Sequence, residues 1–283
     1  MFALELNIMS GKADKSEMSF LEHLEELRWH LVRSAFVVVI MAGLAFVFKK
    51  LVFDIIILGP SMADFPTNRW LCAFGRHSFL HTEVLCINKT PISLQNIQMA
   101  GQFMAHIKIS LISGLVVAFP YVFYEFWRFV RPALYQNEKN VAQGAVLAIT
   151  MLFFVGVAFG YFIISPLSIN FLFNYQVTEL AKNDIQLMSY VSLVAGISLA
   201  SGVLFELPVI VYFFSKIGLL TPAFLRRYRR HAIIVILLIA AIITPPDVFS
   251  QVLVSMPLLL LYEISIGISR RIEKKQLAEF DQT

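Results

Sequence analysis

The residues of this sequence that could do chemistry are a few carboxylates, two cysteines and the histidines near them. Glu206 stands in the apolar run SGVLFELPVIVYFF, where an ionised acid inside a membrane costs a few kcal/mol. Either its carboxyl is neutral and bonded to backbone loosened by Pro208, or the acid is kept there for a function. Gln251 interrupts a second apolar run and, being polar, should face protein rather than lipid. Asp247, in the turn TPPD, suits the cap of the helix that follows. Near the start, Glu22, Glu25 and Glu26 crowd one helix. Glu22 and Glu26 have the like-charge i,i+4 spacing that weakens a helix, and a solvated face is the ordinary reading of such a run. Glu138 lies in a short polar loop after Pro132.

Cys72, His77, His81 and Cys86 form the pattern C-x4-H-x3-H-x4-C, which could hold zinc. A Cys72–Cys86 disulfide ranks ahead of two free thiols, and a metal comes last, because two cysteines on the outer side of a membrane need only approach each other to pair. HExxH, GxSxG and P-loop patterns are absent from the sequence, and His106 has no nucleophile at a motif spacing, so a membrane-embedded hydrolase is disfavoured. Lys108 can extend its amine to the headgroups from near a helix end.

The elements that must position these residues are membrane spans. Of the 283 residues 58% are hydrophobic and 15% charged, with 26 Phe, far more apolar than a soluble domain of this length. No hydrophilic block approaches the size of an independent domain. We expect a membrane domain over residues 19–270, flanked by tails at 1–18 and 271–283. Glu5 interrupts the only apolar patch of the leading segment, which argues against a cleavable signal peptide and makes the first span an uncleaved anchor.

Ser19-Phe20-Leu21-Glu22 is a capping box, so a helix should begin there and run into a first span at 32–48, closed by Lys49-Lys50. A long outer loop with short surface helices follows. The second span is expected at about 103–126, passing at Pro120 into a stretch where aromatics mix with Glu125, Arg128 and Arg131, as at a headgroup layer. Arg131-Pro132 should break it. The third span, 143–165, should end at Pro166, and the fourth covers about 190–214. Thr221-Pro222 starts a short helix bearing Arg226, Arg227, Arg229 and Arg230, suited to anchoring at anionic lipid. The last two spans, 232–244 and 248–262, are short for a hydrocarbon core of roughly 30 Å.

Lysines and arginines favour one side. Four precede residue 34, three lie in 128–139, five in 216–230 and four in the tail, against six in one long loop from 49 to 108 and Lys182. Both termini are therefore expected in the cytoplasm. The net charge of +4 follows this orientation and implies no nucleic acid partner.

Four motifs in order resemble the TatC family, the receptor subunits of the twin-arginine protein translocase. They are HLEELRWHL (23–31), YEFWRFVRPALYQNE (124–138), FELPV (205–209) and TPPDVFSQ (244–251). Phe129, Pro132, Ala133, Leu134, Tyr135 and Glu138 fall on the family's pattern, and Gly59-Pro60 resembles its proline past the first span. The resemblance implies an all-α bacterial cytoplasmic membrane protein of six spans. It implies a receptor for folded precursors whose signal peptides carry paired arginines, assembled in a multimeric complex with single-span TatA- or TatB-like proteins. Transport would draw on the proton-motive force, without a cofactor. The resemblance makes Glu26, two residues before Arg28, and Glu138 the acids that grip the arginines; where the first helix lies against the loop after Pro132, Phe129 and Trp127 should wall one side of the clamp. It also puts a functional Glu206 ahead of a structural one, while the shortness of the last two spans points to a partner's single span packing on them, near Gln251 or against the face exposing Glu206. The competing class is a secondary transporter with Glu206 as carrier, which expects polar groups converging at midplane and often an internal repeat; only scattered ones are seen. Glu125, Arg131 and the cysteine-bearing loop depart from the family pattern.

Overall fold

The computed structural model describes residues 20–77, 87, 93–134, 139–178, 183–244 and 248–280. Two long apolar helices, α1 (Phe20–Val47) and α3 (Gly101–Leu134), make the most extensive helix contact among them. His30 meets Glu125, Ala42 meets Gly114 and Phe46 meets His106, so the two run antiparallel. Gly114 permits the close crossing: a Cβ there would sit 2.4 Å from the backbone nitrogen of Ala42. Five helical stretches are long and apolar enough to cross a membrane among the described residues, which makes this a multi-pass, all-α membrane protein.

α1 ends at Val47, within a residue of the expected end before Lys49-Lys50, but the chain does not leave the helical conformation for a loop there. The chain continues into a π-helical segment, Leu51–Ile57, because LVFDIII is apolar and buries Val52 and Ile57. Carbonyl groups at its end are satisfied from other helices, Ile56 by the Tyr161 hydroxyl (2.6 Å) and Ile57 by that of Tyr190 (2.8 Å). A turn at Gly59–Ser61, with Pro60 buried, leads to α2 (Pro66–His77), one of the short loop helices expected. Leu94–Gln95 (β1) pairs in parallel with Ile185–Gln186 (β2) and ties two distant loops together at the same end.

The prolines break less than expected. α3 runs through Pro120 and on to Leu134, two residues past Pro132; each proline forgoes one bond to the carbonyl four residues back, and only two residues follow Pro132 before the helix ends. Nor does Pro166 end the third span. Helix α4 (Lys139–Phe159) passes through a π-helical segment, Gly160–Ile164, into α5 (Ser165–Asn174), where Pro166 occupies the first turn and needs no donor. The Ser165 hydroxyl donates to the Gly160 carbonyl (2.9 Å) beside the backbone bond to the same oxygen. A break does fall in the fourth span: α6 (Leu187–Phe205) and α7 (Leu207–Lys216) meet at Glu206, with Pro208 opening α7.

The Thr221 hydroxyl accepts from the Phe224 N–H at 3.2 Å and starts α8 (Pro222–Arg227), as Thr-Pro predicts. Of the last two helices only α9 (Arg229–Ile243), with 15 residues, is short. α10 (Val248–Phe280) has 33 residues and carries on far past Tyr262. Its extension is held by α7: Ile266 packs near Val211, Ser215 donates to Ser269 (2.8 Å), and Gln276 donates to the Lys216 carbonyl (3.0 Å). Apolar periodicity ends where the lipid would, but side-chain bonding to a neighbour prolongs the helix.

Candidate functional site

Glu26, the described member of the predicted acidic pair, lies near the start of α1, beside the end of α3. Glu26 is half-buried there, and one turn later His30 is only 6% exposed. Its Nδ1 meets the Oε2 of Glu125, itself 3% exposed, and its Nε2 lies 3.9 Å from the Glu26 carboxylate. Tyr121, one turn before Glu125 on α3, donates its hydroxyl to the other carboxyl oxygen at 2.9 Å. The Ser34 hydroxyl donates to the His30 carbonyl at 2.9 Å. Glu26, Trp29, His30, Arg33 and Arg128 line an open pocket of about 390 Å³. One carboxylate and an imidazole thus share the pocket with two guanidinium groups, and Glu125 is buried behind His30.

Phe129 belongs to this site, its ring edge-on to His30 at 6.1 Å between centroids. Trp127 does not. Two residues from Glu125 it points to the other side of α3 and packs against Phe213 of α7 at 5.0 Å. Arg28 is exposed and does not line the pocket. Glu138 lies outside the described residues, and Pro132 is placed by its backbone within the last turn of α3.

Glu206 is 8% exposed at the α6–α7 break. Its backbone carbonyl accepts from Val209 (2.9 Å) and Ile210 (3.0 Å), while both carboxyl oxygens have no hydrogen-bond partner among the described residues. A carboxyl bonded to loosened backbone is therefore not what the structure holds. With no hydrogen-bond partner for the carboxyl among the described residues, a carrier site built on converging polar groups gains no support. Gln251 donates to the Leu237 carbonyl of α9 at 3.2 Å, so its amide is used within the chain. Lys108 reaches Ser192 of α6 (2.7 Å) instead of headgroups, and His106 stacks on Phe46 at 3.9 Å while bonding to its carbonyl. Cys72 is disulfide-bonded; Cys86, His81 and Asp247 lie outside the described residues.

Sequence reasoning missed the role of His30, Glu125 and Tyr121. A signal was present, since Glu125 is an acid among aromatics and His30 stands four residues after Glu26.

Residues 22–257 match the family model for the Sec-independent protein translocase protein TatC. The chain belongs to the TatC family. TatC of Blattabacterium sp. subsp. Periplaneta americana (strain BPLAN) is 38% identical over 267 residues, covering 94% of this chain and 100% of the relative. TatC of Aquifex aeolicus (strain VF5) is 36% identical over 260 residues, covering 92% and 98%. A crystal structure of the twin arginine translocase receptor TatC in DDM superposes with a TM-score of 0.69 at 36% identity, over 88% of this chain and 99% of that one. Within the TatC match lie the HLEELRWHL, YEFWRFVRPALYQNE, FELPV and TPPDVFSQ motifs, apart from none of their residues.

Proposed function

We propose that this chain is the receptor and core subunit of a twin-arginine translocase, binding signal peptides with paired arginines through Glu26 and Glu138 so that folded proteins can be exported. The observation that carries the proposal is the TatC-family match over residues 22–257, which makes the chain a component of Sec-independent protein translocation. The bound peptide would meet the end of the bundle where α1 begins. The chemistry favours this: a guanidinium offers two parallel N–H bonds to one carboxylate, so two adjacent arginines suit two carboxylates at a fixed separation, whereas lysine presents only a point charge. Arg33 and Arg128 in the same pocket oppose the ligand, and exposed ion pairs contribute only about 0.2–1 kcal/mol each, so much of the affinity must come from the peptide's apolar segment.

In this proposal the protein lies in a bacterial cytoplasmic membrane with both termini in the cytoplasm, as the lysine and arginine distribution supports, and α9 makes a sixth crossing. Single-span TatA- or TatB-like proteins are its partners in a multimeric assembly, and the proton-motive force is the energy source. Cys72 and Cys86 form a disulfide on the outer side; a count of two free thiols on the denatured, unreduced protein would contradict that pairing.

The receptor role is tested in a bacterium deprived of its own TatC. This chain, supplied with single-span proteins from its own source, should export a folded reporter behind a signal peptide with two arginines and fail with two lysines. Export that is indifferent to that exchange would contradict the proposal.

A further inference from the structure

We infer that His30, Glu125 and Tyr121 form the positioning device of the receptor site, fixing where α1 holds Glu26; the inference rests on Glu26 being a ligand for the signal peptide. Besides the stacking and hydrogen bond of His106 on Phe46 near the far end of α1, two fastenings join α1 to α3. One is steric, the backbone contact of Gly114 with Ala42. The other is polar and lies twelve residues nearer the start of α1, roughly 18 Å away at the helical rise. Apolar contact is non-directional and leaves a helix free to rotate or slip by small amounts. A buried imidazole bonded to a buried carboxylate is directional, and each group would be left unpaired by a rotation of α1. Glu26 is one turn from His30 on the same helix face, so the rotation that the pair forbids is the one that would swing Glu26 round.

Tyr121 completes the device from α3. With one carboxyl oxygen taken by its hydroxyl and the other by His30, Glu125 has a single orientation. Phe129 packs edge-on to the same imidazole. None of the three polar groups needs to touch the peptide. Glu125 and Tyr121 act through His30, and His30 through the turn that carries Glu26.

The test titrates full-length protein in mild detergent with a labelled signal peptide carrying either two arginines or two lysines, using Glu26→Ala, Glu125→Ala, their combination, Glu125→Gln and Tyr121→Phe. Glu125→Ala should weaken the two-arginine peptide about fivefold and narrow the difference between the peptides. Added to Glu26→Ala it should change binding by less than about twofold, because it acts through that residue. Glu125→Gln keeps a partner for both His30 and Tyr121 and should bind within about twofold of the parent. If Glu125→Ala does not insert, Tyr121→Phe replaces it in the cycle, with a smaller loss that again vanishes in the Glu26→Ala background. Losses that multiply in the double variant, or parent-like binding by Glu125→Ala while Glu26→Ala is impaired, would overturn the positioning role alone. Unimpaired binding by Glu26→Ala would instead remove the ligand assignment, and the positioning role with it.

Discussion

At the scale of single residues, the site is built around an acid buried between two helices at the end of the bundle. Glu125 is accommodated because His30 and Tyr121 take both of its oxygens. Glu206 is different in kind, for its carboxyl oxygens are buried without a partner among the described residues, at a helix break that three backbone groups already stabilise. A group left in that state by its own chain is suited to a partner from another. We expect Glu206→Gln to insert normally and retain export, since an amide avoids the cost of ionisation while still offering hydrogen bonds, and Glu206→Ala to reduce export severely at unchanged abundance. Export rates of a folded reporter check this, and wild-type rates in both variants would make the residue a bystander. Glu206 was legible in the sequence as an acid in an apolar run, whereas Glu26 stood out only through the motif resemblance, its own run reading as a solvated face. The bond from Glu125 to His30 was not, because it joins positions 95 residues apart and depends on how α1 lies on α3.

Among the elements, apolar runs marked the positions of the long helices well, and local punctuation marked their ends poorly. Pro132 and Pro166 read as stops, yet the helices pass both; α1 does end at Val47, just before Lys49-Lys50, but helical backbone resumes there and leads into Leu51–Ile57. In two places π-helical turns absorb the misfit, with Tyr161, Tyr190 and Ser165 supplying hydrogen bonds that a sequence window cannot see. The extension of α10 beyond Tyr262 likewise depends on Ser215 and Lys216 of another helix. Glycine placement carries a sharper consequence. With no room for a Cβ between Gly114 and the Ala42 backbone, Gly114→Val must push α1 off α3, a strain of about 1–3 kcal/mol by analogy with overpacked cores. We expect a lower melting temperature in detergent and weaker signal-peptide binding together. Gly43→Ala, where a Cβ meets nothing within 4 Å, should leave both unchanged.

For the whole molecule, the short α9 and the broken α6–α7 span leave a bundle of unequal helix lengths. A 15-residue helix reaches roughly 22 Å, less than the hydrocarbon thickness, so the bilayer must thin there or another helix must cover the mismatch. We expect a partner's single span to pack on that side. Cysteines placed one at a time on exposed positions of α9, such as Ile234, Leu238 and Ile242, should cross-link to it, whereas labelling by lipid-phase probes alone would count against the idea. The proposed receptor site, with Glu26 on α1 and Glu138 in the chain after α3, tests separately. The most direct measurement compares the affinity of the detergent-solubilised protein for a labelled signal peptide bearing two arginines with that for one bearing two lysines, in the parent and in the double variant Glu26→Ala, Glu138→Ala. The parent should prefer arginine and the double variant should lose that preference, with binding in the parent falling as salt is raised; a double variant that still discriminates as the parent does would place the clamp elsewhere.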